Sequence, residues 1–530
     1  MSFMPGVCNL CGTGCGHFLR TEGGKVSSVA PLQAHPVSHG RLCIRGWHVN
    51  ELLCTEERID TPLIREKGAL RPATAEEAIG VVVRRLGALA RPAEEAAVLA
   101  SARSSNEEAY LLMRLARSVL GTNNISVGAE AGHPETLRAI ESAFGIAGAI
   151  GDLTRIDRAK YILVVGSDLT KLNPVLGANV HRAARSGASV VVFCVTRTQI
   201  AELASRHYRP KPGALRFLLD ALSKAILEER MSDPAFAERA LPRFGEFALR
   251  LRDLTPERLA ESSGVPFDRV REEARRLLAA ESAVFLFSSG VSGLDRETIR
   301  ALVNASILSG KMGGADSALI PAAGICNLQG SFDMGLSPER TVGWRPLGDD
   351  ETRRALASAW GEAPPARPGR AVYDLLADRG SPLRALFVVD HDDGIVRYRD
   401  RIASLDFVVY AGAFRNPFQE LAHVVLPVAA FAETDGTYTA SDRRVQFSPA
   451  KTDPAPGVDA AWKLYAEIAR AAGRKWSYES ASDVFDEIAA VVPGYAGMNH
   501  EALGRSFGRH WEPERDGRPI SFLPAEDGVP

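Results

Sequence analysis

Residues 8–15 read CNLCGTGC and residues 40–47 read GRLCIRGW. Together they set Cys8, Cys11, Cys15 and Cys43 in the pattern C-x2-C-x3-C-x27-C. One short loop can then wrap three corners of a site, and the distant fourth cysteine closes it. Gly12, Gly14 and Gly16 let that loop bend tightly and are expected to turn N–H groups toward sulfur. Four thiolates could hold zinc or a [4Fe-4S] cube. No histidine pair stands at zinc-finger spacing, and the x2, x3 spacing favours the cube. His17 and His48 are read as neighbours of the site rather than ligands. Cys54, on an apparent amphipathic stretch, is read as a buried core thiol, and the isolated Cys194 and Cys326 as non-ligands.

The rest of the composition is that of an ordinary globular protein. The chain has 530 residues, 45% hydrophobic and 24% charged, with a formal net charge of -2. That length predicts about two to four domains. The charge balance argues against nucleic acid or an anionic membrane as partner. No apolar run of membrane-spanning length and no signal-peptide pattern is present, so a cytoplasmic protein without direct membrane insertion is expected. Clustered cysteines in such a chain point to metal rather than disulfides.

Outward from the cysteine loop, short apolar β-branched runs alternate with helical segments. AAVLA (96–100), KYILVVGS (160–167), ASVVVFCV (188–195) and AVFLFSSG (283–290) read as buried strands, and NPVLGANVHRAARSG (173–187) as a helix. ALFVVDHDDG (385–394) and DFVVYAGAF (406–414) begin a second series. This is the pattern of parallel, doubly wound α/β sheets with sites at the strand ends. Ser104 and Glu107 read as a capping box opening a helix that Gly121 stops. Asp435-Gly436 reads as a hairpin turn, GEAPPARPGR (361–370) as a surface loop, and PERDGRPISFLPAEDGVP (513–530) as an extended arm. Asp392 and Asp393 read as strand-end loop residues.

The cysteine pattern and GRLCIRG resemble the molybdopterin oxidoreductases, which include formate dehydrogenases and the large iron–sulfur subunit of respiratory NADH dehydrogenase. SARSSNEEAYLLMRLARSVLGTNNIS (101–126), SGKMGG (309–314), GICNLQGSFDMG (324–335) and AHVVLPVAAFAETDGTYTASDRRVQ (422–446) extend the resemblance in order along the chain. It implies a small N-terminal [4Fe-4S] domain over residues 1–55 and a discontinuous α/β domain from 56–127 and 330–450. It also implies an inserted Rossmann-like α/β domain over 128–329, C-terminal helices over 451–507 and an extended tail over 508–530. The β-rich domain that covers two pterin dinucleotides in formate dehydrogenases is expected to be absent. The 508–530 segment or a partner subunit is then expected to fill the uncovered cleft.

The resemblance also shows where chemistry departs. In NNISVGAEAGHPETL (123–137), His133 matches the histidine that follows the metal-binding cysteine or selenocysteine of formate dehydrogenases. The preceding residue, however, is Gly132. Ala323 stands where an arginine clamps formate, and alanine offers no such bidentate hydrogen bond. NPFQELAH (416–423) replaces a Thr- and Asp-containing cofactor motif. His133 is therefore read as a vestigial, satisfied structural histidine, and Asn327 and Gln329 as turn and packing residues. Arg45, between cluster and pterin in catalytic relatives, would raise the cluster's potential.

These features imply an iron–sulfur electron-transfer subunit of a cytoplasmic, multisubunit oxidoreductase with flavin- and iron–sulfur-containing partner subunits. Such a complex would be of NAD(P)H dehydrogenase or flavin-based bifurcating type. The alternatives are a molybdenum or tungsten pterin enzyme of formate dehydrogenase type, and a structural metal-binding scaffold.

Overall fold

The computed structural model describes residues 2–128, 132–230, 241–290, 293–390, 393–512 and 519–523. The chain opens with an antiparallel three-stranded sheet of Ser2–Val7 (β1), Gly16–Glu22 (β2) and Lys25–Pro31 (β3). The cysteine loop is the β1–β2 connection.

Leu63–Glu66 (β4) and Ala69–Pro72 (β5) form a hairpin, followed by Ala96–Ala100 (β6) and Ile125–Val127 (β7). The next strands are Tyr161–Val165 (β8), Ser189–Phe193 (β9), Arg206–Tyr208 (β10), Ala283–Ser289 (β11) and Ala318–Ala323 (β12). They form a parallel sheet in the order β10-β9-β8-β11-β12. The chain then returns with Ala385–Val389 (β13), Phe407–Gly412 (β14) and Val424–Pro427 (β15), giving a seven-stranded sheet β5-β4-β15-β14-β13-β6-β7. Every residue of β6, β8 and β13 is buried. Helices cover both sheet faces, which is why these strands are continuously apolar rather than alternating. A last small sheet joins Gly436–Thr439 (β16), Arg444–Ser448 (β17) and Arg509–His510 (β18). No helix among the described residues is long and apolar enough to cross a membrane.

Three local expectations are corrected. The capping box lies one residue later: Ser105 Oγ accepts from Glu108 N–H at 3.2 Å, and Glu108 reaches back to Ser105 N–H at 2.9 Å. Glu107 instead turns into the core, where its carboxylate accepts from Thr437 N–H and lies 2.7 Å from His500 Nε2. The helix Asn106–Arg114 then widens into a π turn over Leu115–Val119 before Gly121. The β16–β17 hairpin turns through Ala440–Arg443, with Arg443 at φ +69°, and not at Asp435-Gly436. Gly436 serves close packing: a Cβ there would stand 2.7 Å from Ser105 Cβ. Cys54 is exposed rather than buried, because it ends a 3-10 helix on the outer side of the first sheet.

Candidate functional site

The cysteine loop is pinned from beneath by the ends of β12 and the β16–β17 hairpin. Gly12 N–H donates to Ala323 C=O at 3.0 Å, and Ser441 N–H donates to Gly12 C=O at 2.8 Å. A Cβ on Gly12 would lie 2.4 Å from Ser441 Oγ, so only glycine fits. Gly14, at φ +59°, presses its Cα onto the Gln446 amide, and Gln446 bonds its carbonyl and His35. These glycines spend their N–H groups inside the protein, since Gly14 N–H points to Cys11 C=O. The expectation that Gly12 and Gly14 offer them to sulfur is therefore corrected. Their role is close approach of backbone to backbone.

Cys8, Cys11 and Cys15 are buried and Cys43 is half-buried. Cys8, Cys15 and Val175 pack together, with Cys43 against them. Burial, with help from the neighbouring thiols, pushes Cys8 up to about 12 and Cys15 well above the usual thiol range. Thiols gathered out of water in this way ionise only against a compensating positive charge, which an iron core provides. No three His, Cys, Asp or Glu side chains among the described residues gather tightly enough to hold one metal ion. Cube corners lie further apart than the ~3.8 Å between sulfurs set ~2.3 Å from a single zinc. Cys8, Cys11, Cys15 and Cys43 lie close enough for the other thiols to raise Cys8 and Cys15, and four thiolates are the donor set that a cube would need.

The other thiols stand apart from this ring. Cys194 is buried at the end of β9, and Cys326 is buried with its thiol 3.9 Å from Cys8 C=O and its pKa raised strongly by burial. His17 is buried, and burial together with Lys451 holds it at about 3, so it is neutral. His48 is on the surface, paired with Glu51.

Above the cysteines opens a cavity of about 1220 Å³. Asn9, Leu10 and Arg45 form its wall on the cysteine side; Ser101–Ser104 from the end of β6 and Val389-Asp390 from the end of β13 form its floor. Arg45, half-buried, lines the cavity, donates to Leu172 C=O at 2.9 Å, and its charge acts on Cys8. Three residues that sequence reasoning did not single out matter here. Arg103 projects exposed into the cavity. Glu108, lining it, has its carboxyl pushed up to about 7 by removal from water. Asp390, at φ +41°, is raised by burial, with Arg103 opposing. The strained Asp390 ends a buried strand, and that position is the only signal sequence offered for it. Of the two aspartates that follow, Asp392 lies outside the described residues, and Asp393 begins a 3-10 helix.

Gly132 also borders the cavity. It caps the helix His133–Phe144 at φ +72°, and a Cβ there would stand 2.8 Å from Leu294 C=O. No side chain fits where the resemblance puts a metal ligand. Ala323 is buried, and its carbonyl accepts from both Gly12 and Asn173. His133 is buried; Nδ1 lies 2.7 Å from Ser289 Oγ while Nε2 has no partner, so it is only half satisfied. Asn327, at φ +53°, ties Ser104 C=O to Thr439 N–H, and Gln329 bonds Ala147 and Asp333. Cofactor-sized space is present, and the two positions that the resemblance assigns to a metal ligand and a carboxylate clamp are Gly132 and Ala323.

Residues 508–512 and 519–523 of the C-terminal segment lie away from this cavity, and the rest of the segment expected there lies outside the described residues. Arg509–His510 pairs with β17, and Phe522 stacks on Phe247 at 4.8 Å, among the helices of the five-stranded sheet. The tail is drawn there by an apolar surface that it completes, with Leu523 also bonded to Asn304.

Comparison with known proteins agrees with this geometry. The Fe4S4-domain model of the molybdopterin oxidoreductases matches residues 1–53, and the molybdopterin oxidoreductase model matches residues 58–471. The chain is 33% identical to the F420-dependent formate dehydrogenase 2 subunit alpha of Methanococcus maripaludis, over 97% of this chain and 77% of that one. It is 28% identical to the F420-dependent formate dehydrogenase subunit alpha of Methanocaldococcus jannaschii, over 95% and 76%. Acetylene hydratase from Pelobacter acetylenicus shares the fold, with a TM-score of 0.75 at 16% identity, covering 96% of this chain and 74% of that one.

Proposed function

The chain belongs to the molybdopterin oxidoreductase family, and on that premise we propose that it is an iron–sulfur electron-transfer subunit without molybdenum or tungsten chemistry of its own. Cys8, Cys11, Cys15 and Cys43 hold one [4Fe-4S] cube, which supplies one-electron transfer. Arg45 places a fixed positive charge beside it, favouring the reduced state. A single cube is useful only if electrons arrive and leave, so the chain works in a hetero-oligomer with flavin- and iron–sulfur-containing subunits in the cytoplasm. The complex is of NAD(P)H dehydrogenase or electron-bifurcating type.

The observation that carries this reading is Gly132. Its positive φ and the Leu294 carbonyl 2.8 Å from its missing Cβ leave no room for a side chain at that position, which supports this reading. Two observations favour the second reading, a molybdenum or tungsten pterin enzyme of formate dehydrogenase type. The 1220 Å³ cavity remains open over the cysteines, and relatives named as formate dehydrogenase alpha subunits align along almost the whole chain.

Metal analysis and spectroscopy of the purified complex separate the two. The first reading expects no stoichiometric molybdenum or tungsten and no formate-dependent dye reduction. It also expects Cys43→Ala to remove one reduced-state [4Fe-4S] paramagnetic signal while Cys54→Ala leaves it whole. One molybdenum or tungsten per chain together with formate oxidation would establish the second reading instead.

A further inference from the structure

Cys8, Cys11 and Cys15 share one loop, and what that loop turns toward their sulfurs is governed from outside it. The peptide group joining Gly14 to Cys15 is held by a side chain: Gln446 Nε2 donates to Gly14 C=O at 3.2 Å. In a planar trans peptide the C=O and the following N–H point in opposite directions. Pinning the Gly14 carbonyl to Gln446 therefore turns Cys15 N–H the other way. There it faces the Cys15 sulfur and favours its ionised form against burial.

Gln446 is itself held in one orientation. Ser38 N–H donates to His35 Nδ1 at 3.1 Å, and burial holds His35 at about 4, so the ring is neutral with its proton on Nε2. That nitrogen lies 2.9 Å from Gln446 Oε1 and donates to it. The amide oxygen is thus fixed toward His35 and the amide nitrogen toward Gly14. Packing locks both side chains, which are buried. A Cβ on Gly16 would stand 2.7 Å from His35 Cδ2, and one on Gly508 would stand 2.7 Å from Gln446 Cγ. The Phe507 ring meets His35 edge to face at 6.1 Å. Every donor in this relay points one way, from Ser38 through His35 and Gln446 to the loop. Bracing alone would not need that direction, because backbone bonds already tie Gly12 to Ala323 and Ser441.

We propose that Gln446, oriented by His35, is a positioning residue that raises the reduction potential of the cluster by turning Cys15 N–H toward sulfur. An N–H dipole aimed at sulfur stabilises the extra negative charge of the reduced cluster. The inference rests on the cube that the proposed function assigns to Cys8, Cys11, Cys15 and Cys43, and not on the absence of molybdenum or tungsten.

The test is a redox titration of the purified complex, following the reduced-state paramagnetic signal that Cys43→Ala removes. Iron content and melting temperature are measured beside it. Gln446→Met keeps the side chain's length and removes both hydrogen bonds. It should retain the parent's iron and make the cluster about tenfold harder to reduce, a fall of about 59 mV for one electron. His35→Asn keeps an acceptor for Ser38 N–H but loses the donor to Gln446, and should shift the equilibrium at least threefold the same way. His35→Gln places an amide N–H where Nε2 stood and should return the potential to the parent value. The proposal is overturned if Gln446→Met holds a full cluster at or above the parent potential, or if the two His35 variants titrate alike. Loss of the cluster in all three variants would also overturn it, because Gln446 would then only brace the loop. Failure of the cube assignment would show instead in the parent complex, as absence of any signal that depends on Cys43.

Discussion

Gly132→Cys restores the residue that a formate dehydrogenase would use, and the structure predicts that it damages the protein without creating a metal site. Two costs add. A residue with a Cβ at φ +72° sits in the left-handed region, costing about 1–2 kcal/mol. The new Cβ would also stand 2.8 Å from Leu294 C=O and 3.2 Å from Gly293 Cα, both backbone atoms that yield only if the loop moves. Overpacking of that kind costs about 1–3 kcal/mol. The sum is about 2–5 kcal/mol. For a cooperative unit of about 200 residues around the five-stranded sheet, each kcal/mol lowers Tm by about 2–4 °C, so a fall of about 4–20 °C is expected by scanning calorimetry of the complex. Gly132→Ala should fall nearly as far, because the Cβ and the backbone angle carry the cost rather than the sulfur. Metal analysis of the Cys variant should show no gain of molybdenum or tungsten. The reasoning fails if the Cys variant melts with the parent and binds stoichiometric metal, or if the Ala variant is harmless.

Two further outcomes follow from buried charges. Burial pushes Asp333 up to about 7, against hydrogen bonds from Gln329 and Tyr495. Between its unfolded value of about 3.9 and that folded value, the native state holds more protons, so stability falls as pH rises, by at most about 1.4 kcal/mol per unit. Asp333→Asn, which keeps an acceptor, should flatten that slope and gain on the parent from pH 4 to 7 in denaturant titrations; parallel curves would contradict the assignment. Arg117 is buried and donates to Asn123, Thr341 and the carbonyls of Gly335, Ser337 and Arg340. Arg117→Met strands those acceptors and should cost about 3–5 kcal/mol by urea unfolding; a loss below about 1 kcal/mol would show that the network relaxes freely.

What sequence alone determined were features whose cause is local. The ring of Cys8, Cys11 and Cys15 was legible because its spacing is a property of one loop. The strands β6, β8, β9, β11, β13 and β14 were legible because burial on both faces leaves an unbroken apolar run. Where two local readings were equally good, tertiary contacts chose. SSNEE contains two overlapping Ser-x-x-Glu frames, and Glu107 was taken by Thr437 and His500, leaving the cap to Ser105 and Glu108. Asp435-Gly436 has the chemistry of a turn, but Asp435 accepts from Ala450 N–H and Gly436 lies against Ser105. Only the tertiary structure set the Leu294 side chain against the end of β8. Leu294 and Gly166 lie far apart in the chain, and nothing in either segment announces that one side chain rests on the other. That contact arises because β8 and β11 become neighbours only when the five-stranded sheet assembles. The same assembly sets the Leu294 carbonyl where Gly132 would need a Cβ, turning an apparently simple missing cysteine into a position that no side chain can fill.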